Sequence, residues 1–421
     1  MTLYRAVPWD ILQQLFKTKK INNHVLHFSA TCRSGLDFLR LTQAVSLLSD
    51  SFPLIRCNLR IQKEMPVWCD GGYTPDELVS LIEKEDCGAE QNNFLMQEID
   101  ERYGPQMKIG LFKASGKDVL CIIMNHMLCD AAGFKEVLYR LASLYTALET
   151  GTEIKNCSMM TDRTVAQISG RLPLKKRFGL YFHREKLSPR GNQQFSFEGN
   201  PAAPFIERRV VSKDMLAYIK KYAADHKATV NDVFMTAYIR VLAAVFGTPD
   251  ILPCAIDVRR FLHDRQTVGI CNLVTTISCD IGQELPASFE DTLSRVKNCM
   301  DTRKNDPSCM KNLVLLEKLF KLVPFGTAFV FLKKVFNNPP VSFTNIGILD
   351  KQKLTFGTTD MTDAFMTGSI KYPDYFQISL STFGEKADCC VNLYGTENDR
   401  QIVGSFLDTL IESIRCHCTH Y

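Results

Sequence analysis

Long apolar runs, short repeats and concentrated charge are all missing from this sequence of 421 residues. No segment reaches the roughly 18 apolar residues that would span a bilayer, and the first twenty residues lack the basic start and apolar stretch of a secretory leader. No short period repeats, which argues against a solenoid. A net charge of +4 is too small for a dedicated nucleic-acid binder. We therefore expect a globular, cytoplasmic protein without nucleic-acid partners.

Cysteine is abundant, with 16 residues, but no C-x-x-C pair occurs. That absence argues against a zinc ribbon or a thioredoxin-like redox site, and it favours reduced, mostly buried thiols. The C-terminal tail brings Cys416, His417, Cys418 and His420 close together in sequence. A frayed chain end without a second cluster favours incidental residues over a soft-metal site. We expect no metal and no cofactor.

Hydrophobic periodicity predicts a mixed α/β chain. In the first half we predict a strand over 24–30, a helix over 35–50, and strands over 54–61, 107–114 and 118–126, followed by a helix after Gly133. In the second half we predict a strand over 206–212, helices over 213–227 and 229–247, strands over 252–261, 272–281, 340–347, 376–384 and 386–395, and a helix over 400–416. Both halves therefore mix helices with strands.

One stretch, VLCIIMNHMLCDAAGFKEVLYRLASLY at 119–145, places polar residues at a strand end. Its aliphatic run stops at Asn125 and His126, then passes Asp130 and Gly133 into an amphipathic helix. A His-x-x-x-Asp pair alone is weak evidence, and a core histidine followed by an aspartate helix cap is the simpler interpretation. The placement favours a site, since a strand end before a helix exposes side chains on a rigid scaffold.

The segment NHMLCDAAG resembles the H-H-x-x-x-D-G signature of the chloramphenicol acetyltransferase-like superfamily, which includes condensation domains and alcohol acetyltransferases. The segments HFSATCRSGLDFLRLTQAVSLLSDSFPLIRCNLR, ATVNDVFMTAYIRVLA, IDVRRFLHDRQTVGICNLVTT and VSFTNIG resemble further family elements, in the family's order. Asn125 stands in place of the first histidine and Ala131 in place of the glycine, and the DFGWG signature of the plant branch is absent.

The resemblance implies two chloramphenicol acetyltransferase-like subdomains that form a pseudo-dimer with a central tunnel. We place the first subdomain at 1–165, a basic linker or crossover at 166–195, and the second subdomain at 196–421. It further implies a free-standing enzyme, which we expect to be a monomer.

The activity that the resemblance implies is acyl transfer from a thioester, either acyl-CoA or an acyl carrier protein, to a small-molecule alcohol or amine. His126 is the candidate general base, because a neutral imidazole can take the proton of the acceptor. No metal and no covalent enzyme intermediate is implied. Cys129 occupies a variable position of the motif, and we expect it in the core rather than as a nucleophile.

Five further residues receive roles from the resemblance. Asp130 is expected to turn away from substrate and pair with an arginine of the second half. Strand alternation would send Arg259 and Arg260 to opposite faces, and we favour Arg259. Oxyanion stabilisation is expected from backbone N–H groups near Gly133, or from Thr344 or Asn345, for both of which a purely structural role in the strand is the alternative.

Two basic segments leave alternatives open. In the passage 171–190, Lys175, Lys176 and Arg177 are candidates for binding donor phosphates or an acidic carrier protein, or they belong to a solvated linker. The segment 311–336 intersperses an apolar run with five lysines, Lys311, Lys318, Lys321, Lys333 and Lys334. It predicts either a membrane-surface element of a lipid acyltransferase or a buried helix and strand, which we favour.

For the protein as a whole, a silent condensation-like module that binds a carrier protein is an alternative to an acyltransferase.

Overall fold

The structure is a computed structural model that describes residues 3–33, 35–154, 158–182, 195–249, 251–262, 269–282 and 284–419. Fourteen strands are found in these ranges: β1 Leu3–Arg5, β2 Val25–Arg33, β3 Cys57–Gln62, β4 Met65–Asp70, β5 Val79–Glu83, β6 Met107–Ala114, β7 Lys117–Asn125, β8 Pro204–Val211, β9 Ile251–Asp257, β10 Val274–Asp280, β11 Val341–Leu349, β12 Met361–Thr367, β13 Phe376–Phe383 and β14 Lys386–Tyr394.

The same ranges contain thirteen α-helices: α1 Pro8–Thr18, α2 Phe38–Ser51, α3 Pro75–Leu78, α4 Gly88–Leu95, α5 Ala131–Thr150, α6 Ala166–Ser169, α7 Leu174–Phe182, α8 Lys213–Asp225, α9 Val230–Val245, α10 Phe289–Arg303, α11 Lys311–Leu322, α12 Phe325–Val335 and α13 Glu397–Thr419. Three short 3₁₀ helices lie at Pro53–Arg56, Val258–Phe261 and Pro307–Met310.

A five-stranded sheet in the order β12-β2-β7-β6-β5 forms the centre of the first half. Helices α2 and α5 cover one face of it, and α5 buries a stripe of apolar side chains: Phe134, Val137, Leu138, Leu141, Ala142, Leu144 and Tyr145. Strand β7 is buried along almost its whole length. The helix–sheet core therefore holds the end of β7 rigidly.

A six-stranded sheet in the order β10-β9-β11-β13-β14-β8 forms the second half. Strand β11 runs parallel to both β9 and β13, and the remaining pairs are antiparallel. Helices α8, α9, α10 and α13 contribute to one core against this sheet. Helix α9 begins with a capping box, in which the Asp232 carboxylate accepts from Thr229 N at 2.8 Å and the Thr229 hydroxyl accepts from Asp232 N at 3.2 Å.

The second half contributes one strand to the sheet of the first half. β12 lies late in the chain, yet it pairs antiparallel with β2 in the first sheet, with Thr367 opposite His27 and Phe365 opposite Ser29. The first sheet is thus completed by residues from the second part of the sequence. The subdomain limits at 165, 195 and 196 remain a prediction.

Most predicted strands and helices are present, and three interpretations were wrong in whole or in part. The strand predicted over 54–61 begins only at Cys57, because Pro53–Arg56 form a 3₁₀ helix. The strand predicted over 252–261 ends at Asp257, and Val258–Phe261 form a 3₁₀ helix. The segment 311–336 is not a buried helix and strand but two helices, α11 and α12, each with only one buried face. Apolar content alone could not separate these cases, because helix and strand patterns coincide in short apolar runs.

Among the described residues, no single helix is both long and apolar enough to cross a bilayer; α8 and α9 meet such a criterion only as a pair, which is bent by 99°.

Candidate active site

The loop that carries His126 joins the end of β7 to the start of α5. Asn125 closes β7, and its side chain fixes the turn: its Oδ1 accepts from Met127 N at 2.9 Å, and its Nδ2 donates to Gln106 Oε1 at 2.6 Å. His126 N donates to His24 O at 2.7 Å. Asn125 therefore holds the loop that presents His126.

Asp130 caps α5 and joins the two halves of the molecule. Its Oδ1 accepts from Gly133 N at 2.9 Å, and its Oδ2 accepts from Arg259 Nη1 at 2.8 Å and from Leu273 N at 2.6 Å. The ion pair expected with Arg259 is thus present. Because both carboxylate oxygens are engaged and the side chain is buried, Asp130 fixes the loop rather than facing a substrate.

Arg259 reaches Asp130 from the 3₁₀ helix after β9, so strand alternation is not the reason for its orientation. Its Nη2 also donates to Cys271 O at 2.9 Å, and its Nη1 lies 3.1 Å from Asp257 Oδ1. Burial lowers the pKa of Arg259, but the carboxylates of Asp130 and Asp257 outweigh burial and raise it above its ordinary value. Arg260 is exposed and donates to Asn305, so only one arginine pairs with Asp130.

The His126 imidazole is partly solvent-accessible although protein atoms surround it. Its Nδ1 is buried and has no hydrogen-bond partner in the described part of the chain. The pKa of His126 lies below 6.5 because burial disfavours the imidazolium, and the Lys371 ammonium adds to the effect. Its own backbone carbonyl and Asp130 oppose that shift. The ring is therefore neutral at neutral pH and can accept a proton.

Three buried residues that the sequence interpretation missed support the loop. Asn272 Nδ2 donates to His126 O at 2.9 Å. Arg163 Nη2 donates to Leu128 O at 2.9 Å, and its guanidinium forms a two-bond ion pair with Asp10, with both distances 3.0 Å. The only sequence signal was the G-x-x-N segment that contains Asn272. Nothing near Arg163 or Asp10 indicates that they meet, because 153 positions separate them.

Two further ionisable groups surround His126. His24 is fully buried, and burial, with Lys17 and His126 nearby, lowers its pKa to about 4, so it stays neutral. Lys371 forms a backbone bridge with Asn22, two residues before His24. Burial lowers the pKa of Lys371 to about 8, and no ion pair to its ammonium is found in the described ranges. The site therefore combines two neutral histidines with one unpaired cation.

Gly133 and Cys129 are in close contact. A Cβ added to Gly133 would lie 2.7 Å from Cys129 Cβ, so only glycine allows the first turn of α5 to approach the loop this closely. The Cys129 thiol is buried, and burial raises its pKa well above 9. A protonated, buried thiol does not act as a nucleophile.

The remaining predicted residues are not joined to His126 by any contact in the described residues. On β11, Thr344 is partly buried, and Asn345 Nδ2 donates to Asn231 Oδ1 at 3.0 Å. Lys175, Lys176 and Arg177 are exposed on α7. The rest of that basic passage, 183–190, lies outside the described residues. Their roles stay predictions.

The C-terminal tail shows no metal-binding arrangement in its described part, which excludes His420. Cys416 Sγ donates to Glu412 at 3.2 Å, and Cys418 is buried. In the described ranges, no three His, Cys, Asp or Glu side chains group as metal ligands would.

Comparison with known proteins gives matches in structure alone. No protein-family model matches the chain, and no curated protein sequence matches it. The fold is similar to the condensation domain of the Monacolin K polyketide synthase MokA, with 14% identity, a TM-score of 0.70, and coverage of 99% of this chain and 98% of that one. It is also similar to the trichothecene 15-O-acetyltransferase TRI3 of Fusarium sporotrichioides, with 12% identity, a TM-score of 0.66, and coverage of 98% and 95%.

A third similar structure is polyketide synthase associated protein 5 of Mycobacterium tuberculosis, with 14% identity, a TM-score of 0.67, and coverage of 99% of this chain and 98% of that one. In all three cases the likeness extends over both halves of the molecule. It establishes the arrangement of two subdomains.

Proposed function

We propose that this chain, which has the two-subdomain fold of the chloramphenicol acetyltransferase-like superfamily, is an acyltransferase that moves an acyl group from a thioester to a hydroxyl or an amine. One observation carries the proposal. A partly accessible, neutral His126 lies on a loop that Asp130, Arg259, Arg163 and Asn272 hold from both halves of the molecule. Such a neutral, fixed imidazole is suited to general-base catalysis.

In the proposed reaction, Nε2 of His126 removes the proton from the acceptor as its oxygen or nitrogen attacks the thioester carbonyl. The tetrahedral intermediate collapses with loss of the thiolate, and the imidazolium returns the proton to that sulfur. No acyl group is transferred to the protein in this scheme.

Oxyanion stabilisation is assigned to the second half, with Thr344 favoured over Asn345. Both polar groups of Asn345 are already engaged, since its Nδ2 donates to Asn231 and its Oδ1 accepts from Gly347 N at 2.8 Å. The Thr344 hydroxyl makes no hydrogen bond within the described residues, so it is available to donate. Backbone N–H groups near Gly133 are less suited, because Gly133 N is bonded to Asp130.

The donor is proposed to be acyl-CoA or a carrier-protein thioester, bound in part by Lys175, Lys176 and Arg177. All three side chains are exposed on one short helix, where they can meet phosphates. Reversing the three charges to glutamate is expected to raise the donor KM at low salt, with the difference shrinking as salt screens it. An unchanged KM at low salt would assign these residues to a solvated helix face.

A catalytically silent module that binds a carrier protein is the second candidate, because condensation domains are among the similar structures. The deciding experiment measures free thiol released from a panel of acyl-CoAs and acyl carrier proteins while hydroxyl and amine acceptors are varied. Acceptor-dependent release supports the transferase. Carrier-protein binding without release by any pair supports the silent module.

The absence of a covalent step is tested separately. Incubation with donor but no acceptor should leave the intact mass of the protein unchanged. An acyl adduct on Cys129 would contradict direct transfer. We further propose that the protein acts in the cytoplasm as a monomer, without metal or cofactor.

A further inference from the structure

Helices α11 and α12 form a hairpin that exposes an apolar face. The hairpin packs on the protein through Leu313, Val314, Leu316, Ala328 and Leu332, which are buried. Five large apolar side chains point the other way: Leu322 is 77% exposed, Val330 67%, Phe331 53%, Val335 53% and Leu315 40%. Single exposed apolar residues are ordinary on a protein surface, but five within 21 residues form a patch.

The charges around this hairpin face all have one sign. Lys318, Lys321, Lys333 and Lys334 are exposed among the apolar side chains. Glu317 is the single acidic residue of 311–336, and its carboxylate is turned inward to accept a hydrogen bond from Val165 N. The hairpin face therefore presents apolar groups and ammonium groups without a competing carboxylate.

A cavity lies at the base of the hairpin. Its volume is about 320 Å³, and Phe320, Lys321 and Phe325 of the hairpin line it together with Val7 and Ile11 of the N-terminal segment. A volume of this size lies at the lower end of the range of ligand pockets, about 300 to 1,000 Å³. Most of its wall is apolar, with Arg5, Glu317 and Lys321 as the charged residues of the lining, so the cavity suits a hydrocarbon chain better than a charged molecule.

We propose that the hairpin face docks on a lipid bilayer that carries anionic headgroups. The apolar side chains would enter the boundary between headgroups and acyl chains, while the lysines extend along the surface to the phosphates. A protein partner fits less well, because lysine is depleted at the centres of protein interfaces. Resting on the proposed acyl transfer, docking would select a membrane-associated lipid, as donor or as acceptor, with a hydrocarbon chain entering the cavity.

The test is co-sedimentation of the full-length protein with vesicles of phosphatidylcholine alone and of phosphatidylcholine mixed equally with phosphatidylserine. We expect pelleting with the anionic vesicles and its loss at high salt. The triple variant Leu322→Ser, Val330→Ser and Phe331→Ser should bind about tenfold more weakly or worse, because it removes most of the inserted apolar surface. Lys321→Glu combined with Lys333→Glu and Lys334→Glu should abolish the preference for anionic vesicles.

A matched control is available elsewhere on the surface. Leu39 and Ile348 are exposed by 70% and 68%, outside the hairpin, and the variant Leu39→Ser with Ile348→Ser should pellet as the wild type does. Equal binding by the hairpin variant and this control would overturn the proposal. So would failure of the wild type to pellet, whether or not it binds an acidic carrier protein.

Docking and catalysis fail separately. Thiol release from a soluble acyl-CoA, measured without vesicles, should be the same in the wild type and in the variant Leu322→Ser, Val330→Ser and Phe331→Ser, because none of these three residues lines the cavity. If the wild type releases no thiol but pellets as expected, acyl transfer is contradicted and docking stands.

Discussion

The molecule contains the same strand–loop–helix unit twice, and only one copy has a histidine directly after its strand. In the first half, β7 leads through residues 126–129 and the cap Asp130 into α5. In the second half, β14 leads through Gly395 and Thr396 into α13. Each loop is tied to a distant segment by a buried aspartate, Asp130 or Asp399.

The two units differ directly after the strand. His126 has accessible surface in the first half, whereas a Cβ added to Gly395 would lie 2.8 Å from Asp399 atoms and 3.0 Å from Phe205. The second unit therefore has no room even for a methyl group there. The contacts of the two aspartates differ as well. Asp130 pairs with Arg259, whereas Asp399 accepts from the backbone N–H groups of Thr396 at 2.8 Å and of Glu198 and Gly199 at 2.9 Å. The first unit has a partly accessible side chain directly after its strand, and the second unit has no space for one.

The largest difference should be in turnover. His126→Ala is expected to lower kcat by about 10² to 10⁴, as removal of a general base does, and to leave the melting temperature nearly unchanged. Thr396→Ala, in the equivalent loop of the second half, should keep kcat within a few-fold. It should lose about 1 kcal/mol of stability, because the Thr396 hydroxyl accepts from Asp399 N at 3.3 Å at the start of α13. Thiol release and thermal unfolding measure both. Comparable losses of turnover in His126→Ala and Thr396→Ala would show that catalysis does not depend on the first loop alone.

The ion pair should dominate stability in the first unit. Asp130→Ala and Arg259→Ala are each expected to cost about 3 to 5 kcal/mol of unfolding free energy, because each strands a buried charge. The double variant should cost less than the two together, and all three should lower turnover. Denaturant unfolding of the four proteins gives the coupling energy. Additive losses would mean that the 2.8 Å contact contributes no coupling.

The contacts of Asp399 in the second unit should contribute less stability than the Asp130–Arg259 pair, and their contribution should depend on pH. Asp399→Asn is expected to cost about 1 to 3 kcal/mol at neutral pH, since a weaker acceptor remains in the buried site. Burial raises the pKa of Asp399, but hydrogen bonds from Thr396, Glu198 and Gly199 outweigh it and hold the pKa below its ordinary 3.8. The stabilisation is therefore present above the unfolded-state pKa and lost as pH falls through the folded-state pKa.

Unfolding of the wild type and Asp399→Asn at a series of pH values tests this expectation. The difference in stability should shrink towards acid pH. A constant difference down to pH values below 3.8 would show that the carboxylate charge is not involved. Turnover by Asp399→Asn should match the wild type at neutral pH, in contrast to Asp130→Ala.

The smallest expected effect is on the pH dependence of catalysis. The base must be neutral, so kcat/KM falls as pH drops through the pKa of His126. Lys371 lowers that pKa, and Lys371→Met should raise it, which moves the acid limb of the profile to higher pH by less than about one pH unit. A shift of the acid limb to lower pH, or no shift, would show that the Lys371 charge does not lower the pKa of His126. Thr396→Ala should leave the profile unchanged.

The strand–loop–helix unit at His126 could be predicted because its signals are local. The aliphatic run of β7 and the apolar stripe of α5 are patterns within 30 residues. The Asp130–Arg259 contact followed from the family resemblance, although the supporting reason was wrong, since Arg259 lies in a 3₁₀ helix. The loop supports could not be predicted. Arg163, Asp10 and Lys371 reach the site by tertiary packing, which leaves no spacing in the sequence.

The α11–α12 hairpin shows a different limit. Its composition was recognised, but composition does not say which side of an apolar helix faces the protein. The buried sides of α11 and α12 are determined by contacts with α1, where Leu12 and Leu15 share one cluster with Leu316 of α11 and Leu332 of α12. Only the fold reveals that Leu322 and Val330 remain uncovered.

Strand β12, which the second half contributes to the first sheet, constrains how the chain folds during synthesis. Strand β2 is complete near residue 33, but its neighbour β12 ends only at Thr367. At about 5 to 20 residues per second, the ribosome needs on the order of 15 to 60 s to make the intervening chain. Throughout that time one edge of the first sheet has open hydrogen-bonding groups, which invite wrong pairing. Nascent chains arrested before Met361 should therefore be protease-sensitive and should become resistant once Thr367 has cleared the ribosome. Resistance before that point would mean that the first half is stable without its last strand.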